Sequence, residues 1–457
     1  MTAMTNDKIV VGLDIGSTKV CAVAGRLIRN KEYATLEVLG VGQATSEGVA
    51  KGGVVNVNKT VEAINRAIDD AANQSDLDIR LVNVGFSSQH IATHRQTGTI
   101  TRGSGGDEVT NADIDQLMSD MYKSRIPPGT EIVHVLPMDF AVDNESGIDD
   151  PVGLSGVKLG AECQVVTTRS HDAANARKCI ERSANGELKR DQLLLSPLAS
   201  AMAVLTPEER DAGVALVDIG GGTTDLAIYY RNVLRHVAVF PWAGNSLTAD
   251  IQEGCKVMLS QAEQLKTKFG NADPATFRLN QVVSVPGLAG RPPKDVLLRN
   301  VAVIIEERLK EIAALVQAEI IRAGYANKLF GGIVLTGGTA DISGIDDVFK
   351  LVTGMDVRVG YPEQLERNPR ADLVSNPAYA TAVGLVWAGF KKVDNRISFI
   401  SDPGRTHVPI IPLPVQPPVT PPAGPKPTGK SGAGWLDSLK NLWGKTTRID
   451  GKETDTY

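Results

Sequence analysis

The sequence is short of cysteine and aromatic residues, and no stretch of it is long and uniformly apolar. Its four cysteines, Cys21, Cys163, Cys179 and Cys255, form no C-x-x-C pair in 457 residues. That excludes a disulfide scaffold and a zinc ribbon, and predicts reduced, mostly buried thiols. No run reaches the ~18 apolar residues of a membrane span, and the polar start 1–8 has no apolar signal region. A cytoplasmic chain is expected, unless something other than a span takes it to a membrane. An excess of charge of one sign is also missing: the net charge is −5, so nothing global favours nucleic acid. Hydrophobic residues at 42% and charged ones at 22% are ordinary for a soluble protein, and the length suits two or more domains.

What is present begins with Val214–Ile228, V-A-L-V-D-I-G-G-G-T-T-D-L-A-I. An apolar β-branched run, a turn of three glycines and a second apolar run predict a hairpin with a bare tip. The exposed N–H groups of Gly220, Gly221 and Gly222 make a concave nest suited to an anion, and the hydroxyls of Thr223 and Thr224 add donors. Asp218, at the end of the first strand, would repel a phosphate unless a cation stood between them. That predicts Mg²⁺, held largely through water. An ordinary glycine turn is the competing reading of this stretch taken alone.

A second copy raises the first. Ile9–Ala24 reads I-V-V-G-L-D-I-G-S-T-K-V-C-A-V-A, and Asp14-Ile15-Gly16-Ser17-Thr18 answers Asp218-Ile219-Gly220-Gly221-Gly222. Two such hairpins predict a duplicated α/β fold whose two lobes face each other across a nucleotide. Neither loop is G-x-x-x-x-G-K-[S/T], and neither is a G-x-G-x-x-G turn opening a helix.

Along the chain, strands are predicted at Ile9–Ala24, Leu36–Val41 and Val82–Phe86, with a loop at Gly48–Asn58 and an amphipathic helix at Val61–Ala72. From about residue 85 to 166 no phosphate element occurs, so this block reads as an inserted subdomain. It holds a polar loop at Thr97–Asp107, a helix at Asn111–Lys123 and a strand at Glu131–Val142 interrupted at Pro137. His90 and His94 have helical metal-ligand spacing, but their neighbours favour a strand. Helices are predicted at Ser170–Ala184, Asn245–Lys268 and Val296–Ala323, with Gly324 as the C-terminal cap of the last. Ten of the 24 prolines fall between Ser401 and Gly434, which predicts an extended linker able to reach about 100 Å. Beyond it, Trp435, Leu436, Leu439, Leu442 and Trp443 fall on one helical face with a basic flank. An amphipathic helix lying on anionic membrane lipid is expected, with a partner-binding helix as the alternative.

Two further stretches complete a resemblance. Ile333-Val334-Leu335-Thr336-Gly337-Gly338-Thr339-Ala340 is an apolar strand into a glycine turn, and Ala262-Glu263-Gln264-Leu265-Lys266 reads A-E-x-x-K. With the paired D-x-G hairpins, these resemble the actin/Hsp70/sugar-kinase ATPase superfamily. The resemblance implies ATP with Mg²⁺, bound by Gly16, Ser17, Thr18, Lys19, Gly220, Gly221, Gly222, Thr223 and Thr224 at the phosphates. It implies that Gly337, Gly338 and Thr339 lie at the adenosine, and that Glu263 and Lys266 hold the ribose and adenine. A plain surface ion pair is the other reading of Glu263 and Lys266. Asp14 and Asp218 would serve catalysis by steering the hydrated metal. Gln192 matches the position that orients water in actin, against an ordinary surface glutamine opening a helix. Ser196 stands where the Hsp70 branch has a glutamate, so any hydrolysis is expected to be slow.

Within that superfamily, the inserted block, the proline tether and the terminal helix resemble the FtsA family of bacterial actin homologues. The resemblance implies a two-lobed actin-like fold. Its subdomains would be 1A (8–84, 167–198, 376–398), 1C (85–166), 2A (199–245, 329–375) and 2B (246–328). A linker (399–434) and a membrane-targeting helix (435–448) would follow. It further implies self-assembly into filaments and downstream division proteins reached through 1C. The C-terminal peptide of the tubulin-like FtsZ would bind near Arg299, Glu306 and Arg308, and the chain would sit at the septum on the cytoplasmic side of the inner membrane. An acceptor-dependent kinase or ATPase of the superfamily, or a pilus-assembly actin-like protein, is the alternative.

Overall fold

The computed structural model describes residues 8–29, 34–103, 108–287 and 290–391. The proline-rich linker and the helix expected at Trp435–Trp443 lie outside the described residues.

The chain opens with the expected hairpin, β1 (Ile9–Ile15) and β2 (Lys19–Arg29), and β3 (Ala34–Thr45) extends it. A two-residue turn joins β4 (Val49–Ala50) to β5 (Gly53–Val54) where a plain loop was expected. Helix α1 (Val57–Ser75) outruns its apolar repeat because Asn56 caps it, its side chain accepting from the Lys59 N–H. β6 (Leu81–Phe86) lies parallel to β1.

The inserted block has its own sheet. It comprises β7 (Ala92–Thr101), α2 (Asn111–Met121), β8 (Thr130–Val142), β9 (Glu145–Ile148) and β10 (Lys158–Arg169), in strand order β7-β10-β8-β9. Its core is separate too: Ile114, Leu117, Met118 and Met121 of α2 pack with Val135, Phe140, Leu159 and Val165. Two expectations need correction here. Residues 97–101 are strand, because Thr97, Thr99, Ile100 and Thr101 are β-formers and the segment pairs with 158–162 of β10. The strand also runs unbroken through Pro137, since a register shift beside it relieves the ladder of a missing N–H.

Helix α3 (Ser170–Arg182) and β11 (Lys189–Leu195) return to the first sheet, completing the order β3-β2-β1-β6-β11. α4 (Ser196–Val204) and α5 (Pro207–Ala212) lead to β12 (Val214–Ile219), β13 (Thr224–Tyr230) and β14 (Val233–Phe240). Next come α6 (Gly244–Cys255), α7 (Leu259–Phe269), the pair β15 (Val282–Val285) and β16 (Lys294–Leu297), and α8 (Leu298–Arg322). The single helix expected over Asn245–Lys268 is thus two. Lys256 enters the left-handed region at φ 50° and closes α6, and Leu259 starts again. Gly324, at φ +82°, follows α8 as expected.

β17 (Ile333–Thr336), α9 (Ile345–Thr353) and β18 (Val357–Val359) finish a second sheet of order β14-β13-β12-β17-β18. Strand for strand, this is the first sheet again: a three-stranded antiparallel meander, then two parallel strands after crossovers. α10 (Pro369–Val374) and α11 (Ala380–Lys391) return to the first lobe. α4 and α11 cross in the core that joins the lobes, where Leu198, Val383 and Leu385 pack with Leu216 and Val334. Their approach is so close at Gly384 that a Cβ there would collide with the Ala199 carbonyl oxygen. The second lobe's other face has a core of Ile251, Val301, Ile305, Leu309 and Phe349 from α6, α8 and α9.

Candidate functional site

The two D-x-G hairpins end in the same way. Gly16 N–H donates to the Lys19 carbonyl at 3.0 Å, and Gly220 N–H to the Thr223 carbonyl at 2.9 Å. The tips come from opposite lobes and touch. A Cβ on Gly221 would collide with the Thr18 hydroxyl, and one on Gly222 with the Ser17 hydroxyl. The glycines of one tip therefore make room for the side chains of the other. Helix α6 is seated on the second tip, its Gly244 and Asn245 N–H groups donating to the Gly220 and Gly221 carbonyls at 3.1 and 2.7 Å.

Between the lobes lies a cleft of about 350 Å³, within the range of small-ligand sites. Asp14, Gly16, Ser17, Thr18, Lys19, Asp218, Gly220, Gly221, Gly222, Thr223, Glu263, Lys266, Gly337, Gly338 and Thr339 all line it. Residues 250 or more positions apart in sequence are thus brought to one cavity. Two predicted residues are not. Thr224 is fully buried and donates to the Trp242 carbonyl at 2.7 Å, so it fastens the chain after β14. Gln192 is 4% exposed inside β11, opposite Asn83, and the cavity wall passes through Ser196 instead. It neither opens a helix nor reaches the cleft. Sequence reading also missed Gly52, Ser87, Asp225, Asp341 and Thr381, which line the cleft as well.

Three carboxylates gather at the hairpin end. Burial raises the Asp14 carboxyl to about 7 against the pull of Lys19, with Asp218 pushing it further up. Burial and the neighbouring Asp218 likewise raise Asp225 to about 7, while the Ser87 and Thr223 side chains offset part of this. Asp225 Oδ1 has no hydrogen-bond partner among the described residues. Asp218 is also raised by burial, but it accepts from Ser200 Oγ at 2.5 Å and Thr381 Oγ1 at 3.2 Å. Against three acids there is one lysine, Lys19, whose ammonium lies 3.5 Å from the centre of the Tyr379 ring. Burial lowers its pKa. A cluster of buried acids with an orphaned oxygen suits a hydrated cation, which would return each acid to its ionised form.

At the other end, Lys266 Nζ is 2.8 Å from Glu263 Oε2 and donates to the Gly244 carbonyl at 3.0 Å and to Thr248 Oγ1 at 2.8 Å. This is no loose surface pair, since it is tied into α6. Gly337 takes φ +88°, and Thr339 donates to the Gly220 carbonyl at 2.8 Å, which joins the third glycine turn to the second hairpin.

Arg299, Glu306 and Arg308 stand on α8, outside the cleft lining. Arg308 is engaged by Asp250 at 2.6 and 2.9 Å and by Glu311 at 2.5 Å, and Glu306 by Lys310 at 2.8 Å. Arg299 is exposed. His94 lies on β7, and His90 Nδ1 pairs with Asp172 at 2.8 Å. Among the described residues no group of three or more His, Cys, Asp or Glu side chains is arranged to ligate a metal directly. All four cysteines are buried and free.

Residues 215–384 match the family model described as "Cell division protein FtsA", and residues 88–167 match the "SHS2 domain inserted in FTSA". Cell division protein FtsA of Pseudomonas aeruginosa is 37% identical over 398 residues, covering 87% of this chain and 93% of that protein. That of Escherichia coli K12 is 37% identical over 396 residues, covering 85% and 92%. Among solved structures, the PilM–PilN type IV pilus biogenesis complex shares the fold at a TM-score of 0.58 and 16% identity, over 83% of this chain and 98% of that one. With an inserted subdomain of the matching kind and this identity over most of its length, the chain belongs to the FtsA family of actin-like cell division proteins.

Proposed function

We propose that the chain is a nucleotide-gated scaffold of the division apparatus, binding ATP with Mg²⁺ in the cleft between its lobes. The observation that carries this reading is the meeting of two equivalent hairpin tips over three buried carboxylates. The N–H groups of Gly221 and Gly222, with the hydroxyls of Ser17, Thr18 and Thr223, suit the phosphates, while those of Gly16 and Gly220 close the two turns. Asp14 and Asp218 would hold the metal through its water shell, with Asp225 behind them. The metal would supply charge neutralisation at the phosphates. Glu263 and Lys266 suit the ribose and base, and Gly337, Gly338 and Thr339 leave space for the adenosine. No carboxylate occupies the Ser196 position and Gln192 is walled off, which supports slow turnover and a role for the nucleotide in setting lobe closure.

The family membership supports a place at the division septum, on the cytoplasmic face of the inner membrane. Assembly into filaments would multiply a weak attachment made by Trp435, Leu436, Leu439, Leu442 and Trp443 of each copy. The FtsZ C-terminal peptide is the proposed partner of the region 246–328. Of the three α8 residues, Arg299 is the one that has no ion pair among the described residues and could meet an acidic peptide, because Glu306 and Arg308 already serve ion pairs. The inserted subdomain is the proposed contact for downstream division proteins.

Co-sedimentation with anionic vesicles in ATP, followed by electron microscopy of the pellet, tests the whole. The wild type should pellet and assemble on the lipid. Trp435→Glu with Trp443→Glu should stay in the supernatant while still binding ATP. A double variant that pellets as fully as wild type would make the terminal segment a protein-binding motif instead.

A further inference from the structure

The short hairpin β4–β5 has no part in the reading above, yet it touches both phosphate-side tips. Its turn is Lys51-Gly52, both in the left-handed region at φ 49° and 77°, as a two-residue hairpin connection requires. Gly52 lines the cleft, and its N–H donates to the Ser17 hydroxyl of the first tip at 3.0 Å. On the second tip, a Cβ on Gly222 would come 3.1 Å from the Lys51 backbone nitrogen. The turn is held from behind as well: Gln89 N–H donates to the Lys51 carbonyl at 3.3 Å, and a Cβ on Gly52 would press on Ser87 and Ser88 at about 3.0 Å. Its position is therefore fixed by three neighbours.

Charge balance gives the turn a role. Asp14, Asp218 and Asp225 outnumber Lys19, whose ammonium rests on Tyr379. Lys266 is committed to Glu263, Thr248 and the Gly244 carbonyl. A triphosphate brings about four more negative charges into this low-dielectric space, and one hydrated Mg²⁺ neutralises two of them. Lys51 is exposed, its backbone stands between the second tip and Gly52 of the cleft lining, and its ammonium makes no ion pair among the described residues. Neighbours run along the cleft from Lys266 to Gly244, Gly220, Gly222 and then Lys51. Lys51 thus stands at the end opposite the ribose side.

We propose that Lys51 is a further nucleotide-binding residue, whose ammonium neutralises the terminal phosphate of a bound nucleoside triphosphate while Gly52 and Ser17 fix the turn that carries it. This rests on the reading of the cleft as an ATP site. A lysine on a flexible stem makes a point-charge contact, so Arg is a fair substitute and Ala is not.

The test is calorimetric titration of the full chain with Mg·ATP and Mg·ADP, for wild type, Lys51→Ala and Lys51→Arg. Lys51→Ala should bind ATP about tenfold more weakly and ADP within twofold of wild type. Lys51→Arg should recover most of the ATP affinity. Unchanged ATP affinity in Lys51→Ala overturns the proposal and leaves the ATP site standing, and so does an equal loss of ATP and ADP. Wild-type protein that binds neither nucleotide removes the site reading itself. Gly338→Trp, which fills the opposite end, should weaken both nucleotides and so marks a loss that is not specific to the terminal phosphate.

Discussion

The two hairpin tips occupy equivalent places in duplicated sheets and close with the same N–H to carbonyl bond, yet they are chemically unlike. The first presents side chains at Ser17, Thr18 and Lys19; the second presents bare backbone at Gly220, Gly221 and Gly222. Asp14 faces the cleft with, among the described residues, Lys19 alone to favour its charge, whereas Asp218 accepts two hydroxyl hydrogen bonds, from Ser200 on α4 and Thr381 on α11. Those are the two helices that cross at Gly384 and Ala199. The second acid is thus wired to the joint between the lobes, and the first is not. Duplication supplied two copies of one loop, and their contact requires that bulk on one side be matched by its absence on the other.

The largest expected effect comes from breaking that complementarity. Gly222→Val puts two methyls where the Ser17 hydroxyl lies. Overpacking of this kind costs roughly 1–3 kcal/mol, which is about fivefold to somewhat over a hundredfold in affinity if the tips must meet when ATP is bound. Combining it with Ser17→Gly should restore part of the loss. A single variant with wild-type ATP affinity and melting temperature would mean that the tips part in the bound state.

How much of this was legible in advance follows the reach of the signals. Asp14, Asp218 and the glycines sit in short local patterns, so the sequence revealed both tips and the third turn at Gly337. The cap at Gly324 and the apolar repeat of α8 are local as well. Asp225 drew no role from the sequence, because what raises its pKa is burial and then Asp218 across the hairpin, and burial is not encoded nearby. Gly52 and Ser87 reach the cleft only because the β4–β5 turn folds onto the root of the inserted subdomain. Thr224 was assigned to the phosphates by adjacency, but the alternation along β13 turns it inward to Trp242. The break at Lys256 was hidden because both halves, α6 and α7, carry apolar positions at helical spacing.

A middle-sized effect concerns charge. Asp225 has a folded pKa of about 7, above its ordinary value, so the folded state binds the extra proton between about pH 4 and 7. Stability therefore falls as pH rises through that window, and the penalty is complete above pH 7. Asp225→Asn should stabilise the nucleotide-free protein at pH 8 by on the order of 2 kcal/mol, with the two curves converging toward pH 4. Denaturant titrations at several pH values measure this. Mg·ATP binding to wild type should release protons at pH 6.5, visible as buffer-dependent heats, and Asp225→Asn should release fewer. Parallel stability curves for the two proteins would remove the buried charge from the picture.

The smallest effect separates the two tips by the one cation that only the first has. Lys19 rests 3.5 Å from the Tyr379 ring centre, and the Tyr379 hydroxyl donates to Gln43 Oε1 at 2.6 Å on β3. Tyr379 belongs to the turn just before α11, so the contact ties the first tip to the chain entering the joint between the lobes. A partly desolvated cation–π contact is worth about 1 kcal/mol, or roughly fivefold in an equilibrium. Tyr379→Leu should remove it and let Lys19 wander, weakening ATP by about that factor. Tyr379→Phe keeps the ring and loses only the bond to Gln43, so its ATP affinity should stay within twofold of wild type while stability falls slightly. Equal losses in the two variants would assign the effect to the hydroxyl and Gln43, and the lysine of the first tip would then be held by the carboxylates alone.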